Sequence, residues 1–510
     1  MNKFMNGLID ANNFGYTENG AIKRNSTNSA LLDLFGMGAA YRKRSDEDCI
    51  LLFRNAFAEN PVYALKCLFY IRDVRGGQGE RRFFRVCMRD LAKQNPEAAL
   101  RNLKYVAEFG RWDDLYIFVD TPLEDAAFNF MKEQLALDVQ CKTPSLLAKW
   151  LKSENASSKE TKRLARKSAA AFGMTPKQYR RTLSILRERI NVLERLMSAG
   201  KWDEIEFDKI PSKAGLIYKN AFAKHDIERM KSERNIQSYE DFAKSADTKV
   251  NAKTLYPYEV VEKGLEVTGR RGGYWCSAAN TSLDATNRLM VNKYWDNLTD
   301  YFNGANLNAL AVVDTSASMR GTPLNVAISL GLYCAERAGG PFAGHYVSFS
   351  SRPQLIKTEG VDFCDKIARI YDTNLCQNTN IEATFDMLLN TAIANRCSQN
   401  DLPQNLIVIS DMEFDAGTGY WSRGRNGRNY TQALMESIRQ KWAAHGYVMP
   451  KLLYWNVDAR QNNIPEDIGC GLVSYVSGFS PSIFQTIMSG KTGYELMKEK
   501  LDSPRYSVIH

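Results

Sequence analysis

Between residues 46 and 302, apolar positions recur three and four apart in segment after segment, with scarcely an alternating stretch. With 3.6 residues per turn, that spacing puts one face of a helix against a core. It predicts helices over 46–58, 61–73, 80–94, 97–109, 112–119, 123–140, 144–152, 159–172, 176–199, 212–224, 239–246 and 257–267. Start signals agree: Pro61, Pro122 and Pro176 fall near first turns, and Ser145, Ser158 and Thr175 near N-caps. A run of short helices joined by short loops predicts helix pairs stacked in a HEAT-like solenoid, although no repeat of fixed period is present.

The pattern differs on either side. Residues 1–45 are rich in Asn, Gly, Ser and Thr, with one apolar patch at Leu31-Leu32-Asp33-Leu34-Phe35, and predict a mostly extended arm docked on the rest. Near 305, Asn308–Val313 forms an apolar run ending in Asp314, and Leu406-Ile407-Val408-Ile409 forms another ending in Ser410-Asp411. A strand pair around 344–357 and strands over 451–457 and 472–477 alternate with helices over 323–338, 361–371, 381–395, 431–444 and 481–488. Strands alternating with helices predict a parallel, doubly wound α/β sheet. The predicted fold class is thus α + α/β: an arm (1–45), a helical domain (46–302) and an α/β domain (303–510).

Composition narrows the function classes. At 510 residues, 44% hydrophobic and 25% charged, the chain has the make-up of a globular protein, not of a collagen or a disordered chain. Ten cysteines without a C-x-x-C, no continuous apolar signal segment and no membrane-length apolar run predict a cytoplasmic protein with reduced thiols and no membrane partner. The net charge of +9 is unevenly placed: residues 1–300 carry +10 and residues 301–510 carry −1.

The sharpest chemical feature is Asp314-Thr315-Ser316-Ala317-Ser318, at the carboxyl end of a buried strand and just before a helix. Open α/β sheets bind ligands at that edge. One carboxylate and two hydroxyls in a tight turn present hard oxygens, which suit Mg²⁺ or Mn²⁺. Asp411 ends the second buried strand at the same edge, and Asn378-Thr379-Asn380 brings a further hydroxyl. The same residue types also cap turns, so a loop without metal is the competing reading. Glu413 and Asp415 read first as a solvated loop and second as an acidic rim.

These three segments resemble the metal-ion-dependent adhesion site of von Willebrand factor A domains, over about 305–490. The resemblance implies Asp314, Ser316, Ser318 and Thr379 as direct or near-direct ligands and Asp411 acting through water. One position would be left for an acidic group of a protein partner. Asn380 departs from the pattern, since many members place an acidic residue there.

The helical part has a basic stretch: residues 151–200 carry a net +8. Lys162, Arg163, Arg166 and Lys167 sit on one predicted helix. On the next, Tyr179, Leu183, Leu186, Ile190, Leu193 and Met197 form a buried stripe, with Lys177, Arg180, Arg181, Arg187 and Arg195 in an arc beside it. Two basic helices in succession form a candidate phosphate-binding surface; the alternative is a solvated face balancing acidic neighbours.

Two glycine-bearing strings, Asp73-Val74-Arg75-Gly76-Gly77-Gln78-Gly79-Glu80-Arg81-Arg82 and Phe109-Gly110-Arg111-Trp112-Asp113-Asp114-Leu115, link helices and could lock neighbouring pairs by ion pairing. Both are similar to helix-junction signatures of the TROVE module of Ro ribonucleoproteins, a ring of HEAT-like repeats followed by a von Willebrand A domain. Leu147-Ala148-Lys149-Trp150, Tyr179-Arg180-Arg181-Thr182-Leu183-Ser184 and Ile210-Pro211-Ser212-Lys213-Ala214 extend the likeness to phage, fungal and plant relatives of that family, over roughly 30–490. The resemblance implies a non-enzymatic ribonucleoprotein that binds small, misfolded or single-stranded RNA. A metal-dependent protein-interaction adaptor is the alternative.

Enzymatic motifs fail on their context. Gly490-Lys491-Thr492 lacks the first P-loop glycine, Gly77-Gln78-Gly79 lacks the third glycine of a dinucleotide fingerprint, and none of the four histidines pairs with a candidate nucleophile. Trp112, Trp150 and Trp202 lie in helical apolar patterns and are expected to pack in the core rather than stack on bases.

Overall fold

The computed structural model describes residues 12–231, 236–271, 274–275, 281–349, 352–373, 380–415, 433–465, 473–487, 491 and 493–510. A helical region is followed by a six-stranded mixed, mainly parallel sheet, the α + α/β layout expected.

The amino-terminal segment is not simply extended. Strands β1 (Phe14–Tyr16) and β2 (Ile22–Arg24) form a hairpin, and the apolar patch at 31–35 lies in a helix, Ala30–Met37, capped by Ser29. Leu31, Leu34, Phe35 and Met37 are buried there, so helical spacing and a Ser N-cap override the polar composition around them.

The helices that follow keep close to the periodicity. Asp46–Glu59, Pro61–Arg72, Arg82–Gln94, Glu124–Gln140 and Lys159–Ala171 match their predicted spans within a few residues. The predicted helix 176–199 is two, Pro176–Arg189 and Leu193–Ser198, because Asn191 turns left-handed with φ 47°. Asn tolerates that conformation where most side chains do not. The last helix of this region, Thr281–Asp296, was not apparent in the pattern.

A two-stranded ribbon, β3 (Arg270–Arg271) and β4 (Tyr274–Trp275), precedes that helix. The main sheet comprises β5 (Ala309–Asp314), β6 (His345–Phe349), β7 (Gln354–Lys357), β8 (Asn405–Ser410), β9 (Lys451–Asn456) and β10 (Val473–Ser477), in the order β10-β9-β8-β5-β6-β7. All neighbours are parallel except β6 and β7, which pair as an antiparallel edge. Strands β5 and β8 are apolar almost throughout because helices cover both faces of the sheet.

The two regions share one core. At the start of the helical run, Ala30–Met37 packs on β10, and Pro61–Arg72 packs on the carboxyl-terminal helix Gly493–Leu501. At its end, Pro257–Val267 packs on Thr322–Arg337, and Thr281–Asp296 packs on Phe363–Thr373. Both ends of the helical run therefore rest on the α/β domain. Polar contacts fix each seam: Arg505 donates to Asp73 Oδ1 at 2.6 Å at the first, and Arg288 clasps Asp362 with two bonds of 2.7 Å at the last.

The glycine string after Arg72 makes a tight junction. Gly79 has φ +62°, and a Cβ there would stand 1.9 Å from the Tyr256 hydroxyl. Only glycine permits both that backbone conformation and that approach.

Candidate metal site and basic surface

The strand order places the candidate metal residues. The chain winds to one side of β5 through β6 and to the other through β8, so their carboxyl ends flank the switch point where such sheets form a crevice. Val313 pairs with Ile409, which brings Asp314 and Ser410-Asp411 side by side. Asp314 Oδ1 accepts from the Ser316 amide at 2.9 Å, and its Oδ2 accepts from the Ser410 hydroxyl at 2.5 Å. The Ser316 and Ser318 hydroxyls lie 2.9 Å apart, and Ser318 hydrogen-bonds to Asp411. Asp314, Ser316, Ser318 and Asp411 thus form one connected group of oxygens at the sheet edge. Thr379 lies outside the described residues. Asn380 caps helix Ile381–Ala394 by accepting from the Ala383 amide at 3.0 Å, which gives this position a structural use for an amide.

Both carboxylates are fully buried, and burial pushes each carboxyl above its ordinary range. The neighbouring Asp411 charge pushes Asp314 further up, while hydrogen bonds from Ser410 and Ser316 oppose it. Arg460 and Ser318 partly offset the burial of Asp411. Two adjacent buried carboxylates with hydroxyl neighbours are a donor set that a small, hard divalent cation would fit, since it neutralises both. Among the described residues no three His, Cys, Asp or Glu side chains gather as a metal cluster. This candidate relies on hydroxyls instead.

Two features here were missed by the sequence reasoning. Arg460 donates to Asp411 Oδ2 at 2.7 Å and meets Glu18 Oε2 at 3.1 Å. It follows the end of β9, the next parallel strand, and that position was the available signal. The second is a correction: Glu413 is buried, not on a solvated loop. Its Oε2 accepts the Glu18 amide at 2.8 Å and its carbonyl accepts from Asn19 Nδ2 at 2.6 Å. Thr17 donates to the Phe414 carbonyl at 2.7 Å, Gly20 bridges to Asp415, and Arg24 exchanges backbone bonds of 2.9 and 3.1 Å with Ile464. The β1–β2 hairpin therefore covers the loops that follow β8 and β9.

On the basic helices, the structure divides the candidate residues. Arg163 pairs with Glu160 and Asp120, Lys167 with Asp120 and Glu124, and Arg180 with Glu154. Arg187 is spent on the fold, donating to the carbonyls of Ala148 and Leu151 and to Ser153 Oγ. Arg195, beyond the break at Asn191, pairs with Glu188 instead of extending the arc. Lys162, Arg166, Lys177 and Arg181 have no carboxylate partner among the described residues, and Arg166, Lys177 and Arg181 are exposed. Of the tryptophans, Trp202 is buried and stacks on His225, Trp112 stacks on Phe130, and Trp150 is half-buried under the Arg111 guanidinium.

Comparison with known proteins fits this two-part build. A family model described as "Domain of unknown function (DUF2828)" matches residues 17–171 and 138–304, together more than half of the chain. The chain belongs to the DUF2828 family. A second model, "Domain of unknown function (DUF7788)", matches residues 308–506, and so takes in the whole sheet. The chain is also similar to "Uncharacterized protein L728" of Acanthamoeba polyphaga mimivirus, 28% identical over 519 residues, covering 94% of this chain and 85% of the relative. Neither family description names the Ro or von Willebrand A families. No helix among the described residues is long and apolar enough to cross a membrane.

Proposed function

We propose that this DUF2828 protein is a non-enzymatic RNA-binding protein of the Ro type. In this reading its helical half holds small, misfolded or single-stranded RNA. Its sheet domain, a von Willebrand A-like unit, binds Mg²⁺ or Mn²⁺ through Asp314, Ser316, Ser318 and Thr379, with Asp411 acting through water. The observation that carries the reading is the group of cations without carboxylate partners among the described residues, Lys162, Arg166, Lys177 and Arg181, on a half of the chain with a net charge of +10. Surplus exposed positive charge attracts phosphates by releasing their counterions. The packing of both ends of the helical run against the sheet domain also suits a closed helical ring.

The test is fluorescence anisotropy of a labelled single-stranded RNA across a salt series. Binding that weakens steeply with salt is expected; undetectable or salt-insensitive binding overturns the reading.

A second reading, a metal-dependent adaptor that captures an acidic group of a protein partner, draws on the oxygen cluster at the switch point. Under it, partner capture needs both Mn²⁺ and Asp314, and charge reversal at Arg180 and Arg181 leaves it unchanged.

A further inference from the structure

The two glycine-bearing junction strings meet in space and gather cations around two carboxylates. Asp114 is buried and pairs with Arg72 at 2.7 Å and Arg85 at 2.6 Å. Asp113 is buried beside it and pairs with Arg85 at 2.9 Å, with Arg111 at 2.9 and 3.0 Å, and with Lys152 at 3.9 Å. The charge is layered: the carboxylates lie inside, and the Arg85, Arg111 and Lys152 side chains remain 31%, 28% and 27% exposed in front of them. Arg111 lies over the Trp150 ring, whose centroid is 4.1 Å from the guanidinium carbon. That stacking fixes the direction of its donors.

Arg81 completes the group. It stands one turn before Arg85 on the same helix face, its carbonyl accepting the Arg85 amide at 3.0 Å, and its exposed side chain has no hydrogen bond or ion pair among the described residues. Crowding by neighbouring atoms and then the charges of Arg111 and Arg85 lower its pKa; burial lowers that of Lys152, where Asp113 supports the charge and Arg85, Arg111 and Arg81 oppose it. Five cations thus face two carboxylates, a surplus that an external anion would relieve. A cavity of about 410 Å³ that Arg85 and Asp113 also line adds Arg89 and Lys93 but Asp46, Asp90 and Glu160 as well, so the cavity itself holds no surplus of cations.

We propose that Arg81, Arg85, Arg111 and Lys152 form a phosphate-binding site, where the helical half takes a backbone phosphate of single-stranded RNA. Guanidinium groups suit phosphate because their paired donors match two of its oxygens. The identity of the ligand rests on the RNA reading above; the phosphate chemistry does not.

The experiment uses the full chain and two probes, pyrophosphate by titration calorimetry and a fluorescein-labelled ten-uridine RNA by anisotropy. Arg81→Ala removes no hydrogen bond of the fold and is checked by circular dichroism. It is expected to weaken either ligand about tenfold and to reduce the salt slope for RNA by about one, the signature of one lost phosphate contact. Arg81→Lys keeps most of the affinity. Arg101→Ala, which removes the same charge from an exposed position at the end of helix Pro96–Asn102, outside both basic groups, leaves pyrophosphate binding unchanged.

If RNA binds but Arg81→Ala matches the wild type with both probes, the site is overturned and the RNA reading stands. If RNA does not bind but pyrophosphate binds and is lost in Arg81→Ala, the site stands and the RNA reading falls. If neither probe binds, or if Arg101→Ala weakens pyrophosphate as much as Arg81→Ala does, the site is overturned.

Discussion

Arg460 donates to Asp411 Oδ2 at 2.7 Å, which sets a fixed positive charge against the carboxylate that would support a metal ion at the sheet edge. The same guanidinium meets Glu18 of the amino-terminal hairpin at 3.1 Å, so one side chain ties the arm to the candidate site. A cation held this close opposes a second cation. Arg460→Ala is therefore expected to tighten Mn²⁺ binding by about tenfold, ~1.4 kcal/mol. Titration calorimetry with Mn²⁺ reads the change, and weaker binding by the variant would show that Arg460 supports the site instead of opposing the ion.

Asp314 is the candidate ligand whose loss should be cleanest. It accepts from the Ser316 amide on Oδ1 and from the Ser410 hydroxyl on Oδ2; Asp314→Asn removes the charge and keeps one acceptor oxygen, and the Ser410 hydroxyl can turn to accept from the new amide nitrogen. Burial and Asp411 already disfavour that charge in the absence of metal, so the metal-free variant should be at least as stable as the wild type. The wild type is expected to gain thermal stability with added Mn²⁺, because a ligand that binds only the folded state shifts the unfolding equilibrium. Asp314→Asn should show no gain. Equal gains in both proteins would place the bound ion elsewhere.

The chemistry of this edge was legible in the sequence to differing degrees. Asp314 and Asp411 could be read because β5 and β8 are continuous apolar runs, and a buried parallel strand announces its own end. Arg460 could be read only through topology, as the residue just past the next parallel strand. The burial of Glu413 had no local signal, since its partner Glu18 lies 395 residues away. In the helical half, periodicity marked most helices but passed over the break at Asn191, where one left-handed residue ends a helix inside an unbroken apolar stripe. It marked the basic helices as well, yet charge along a sequence does not record which cations are already paired. Lys167 and Arg180 find carboxylates from other segments, whereas Arg81, outside the basic stretch, finds none among the described residues.

The hairpin's attachment should depend on Glu413. Its buried carboxylate accepts the Glu18 amide at 2.8 Å, and removing it leaves that amide without its acceptor. A lost hydrogen bond to a charged group costs about 1.5–3 kcal/mol. Glu413→Ala is expected to speed amide exchange across residues 14–24 by at least tenfold while leaving β5, β8 and β9 protected. Hydrogen exchange by mass spectrometry checks this. Unchanged protection of the hairpin would mean that the backbone bonds between Arg24 and Ile464 are enough to hold it.

Arg72 and Asp114 carry a different burden, the locking of two helix junctions. Their side chains are 2% and 0% exposed, so neither charge can turn to water if the other is removed. Asp114 also accepts from Arg85 Nε at 2.6 Å and from the Arg111 amide at 3.0 Å, so its loss orphans three donors. Breaking a buried pair from one side costs about 3–5 kcal/mol, because an uncompensated charge remains inside. Asp114→Ala is expected to fall in that range in urea unfolding, and Arg72→Met to cost less, since Asp114 keeps Arg85. Replacing both, Arg72→Met with Asp114→Leu, should recover part of the loss, as apolar replacement of a buried ion pair often does. Had the pair been a surface ion pair, each single change would cost under about 1 kcal/mol and the double change would be additive.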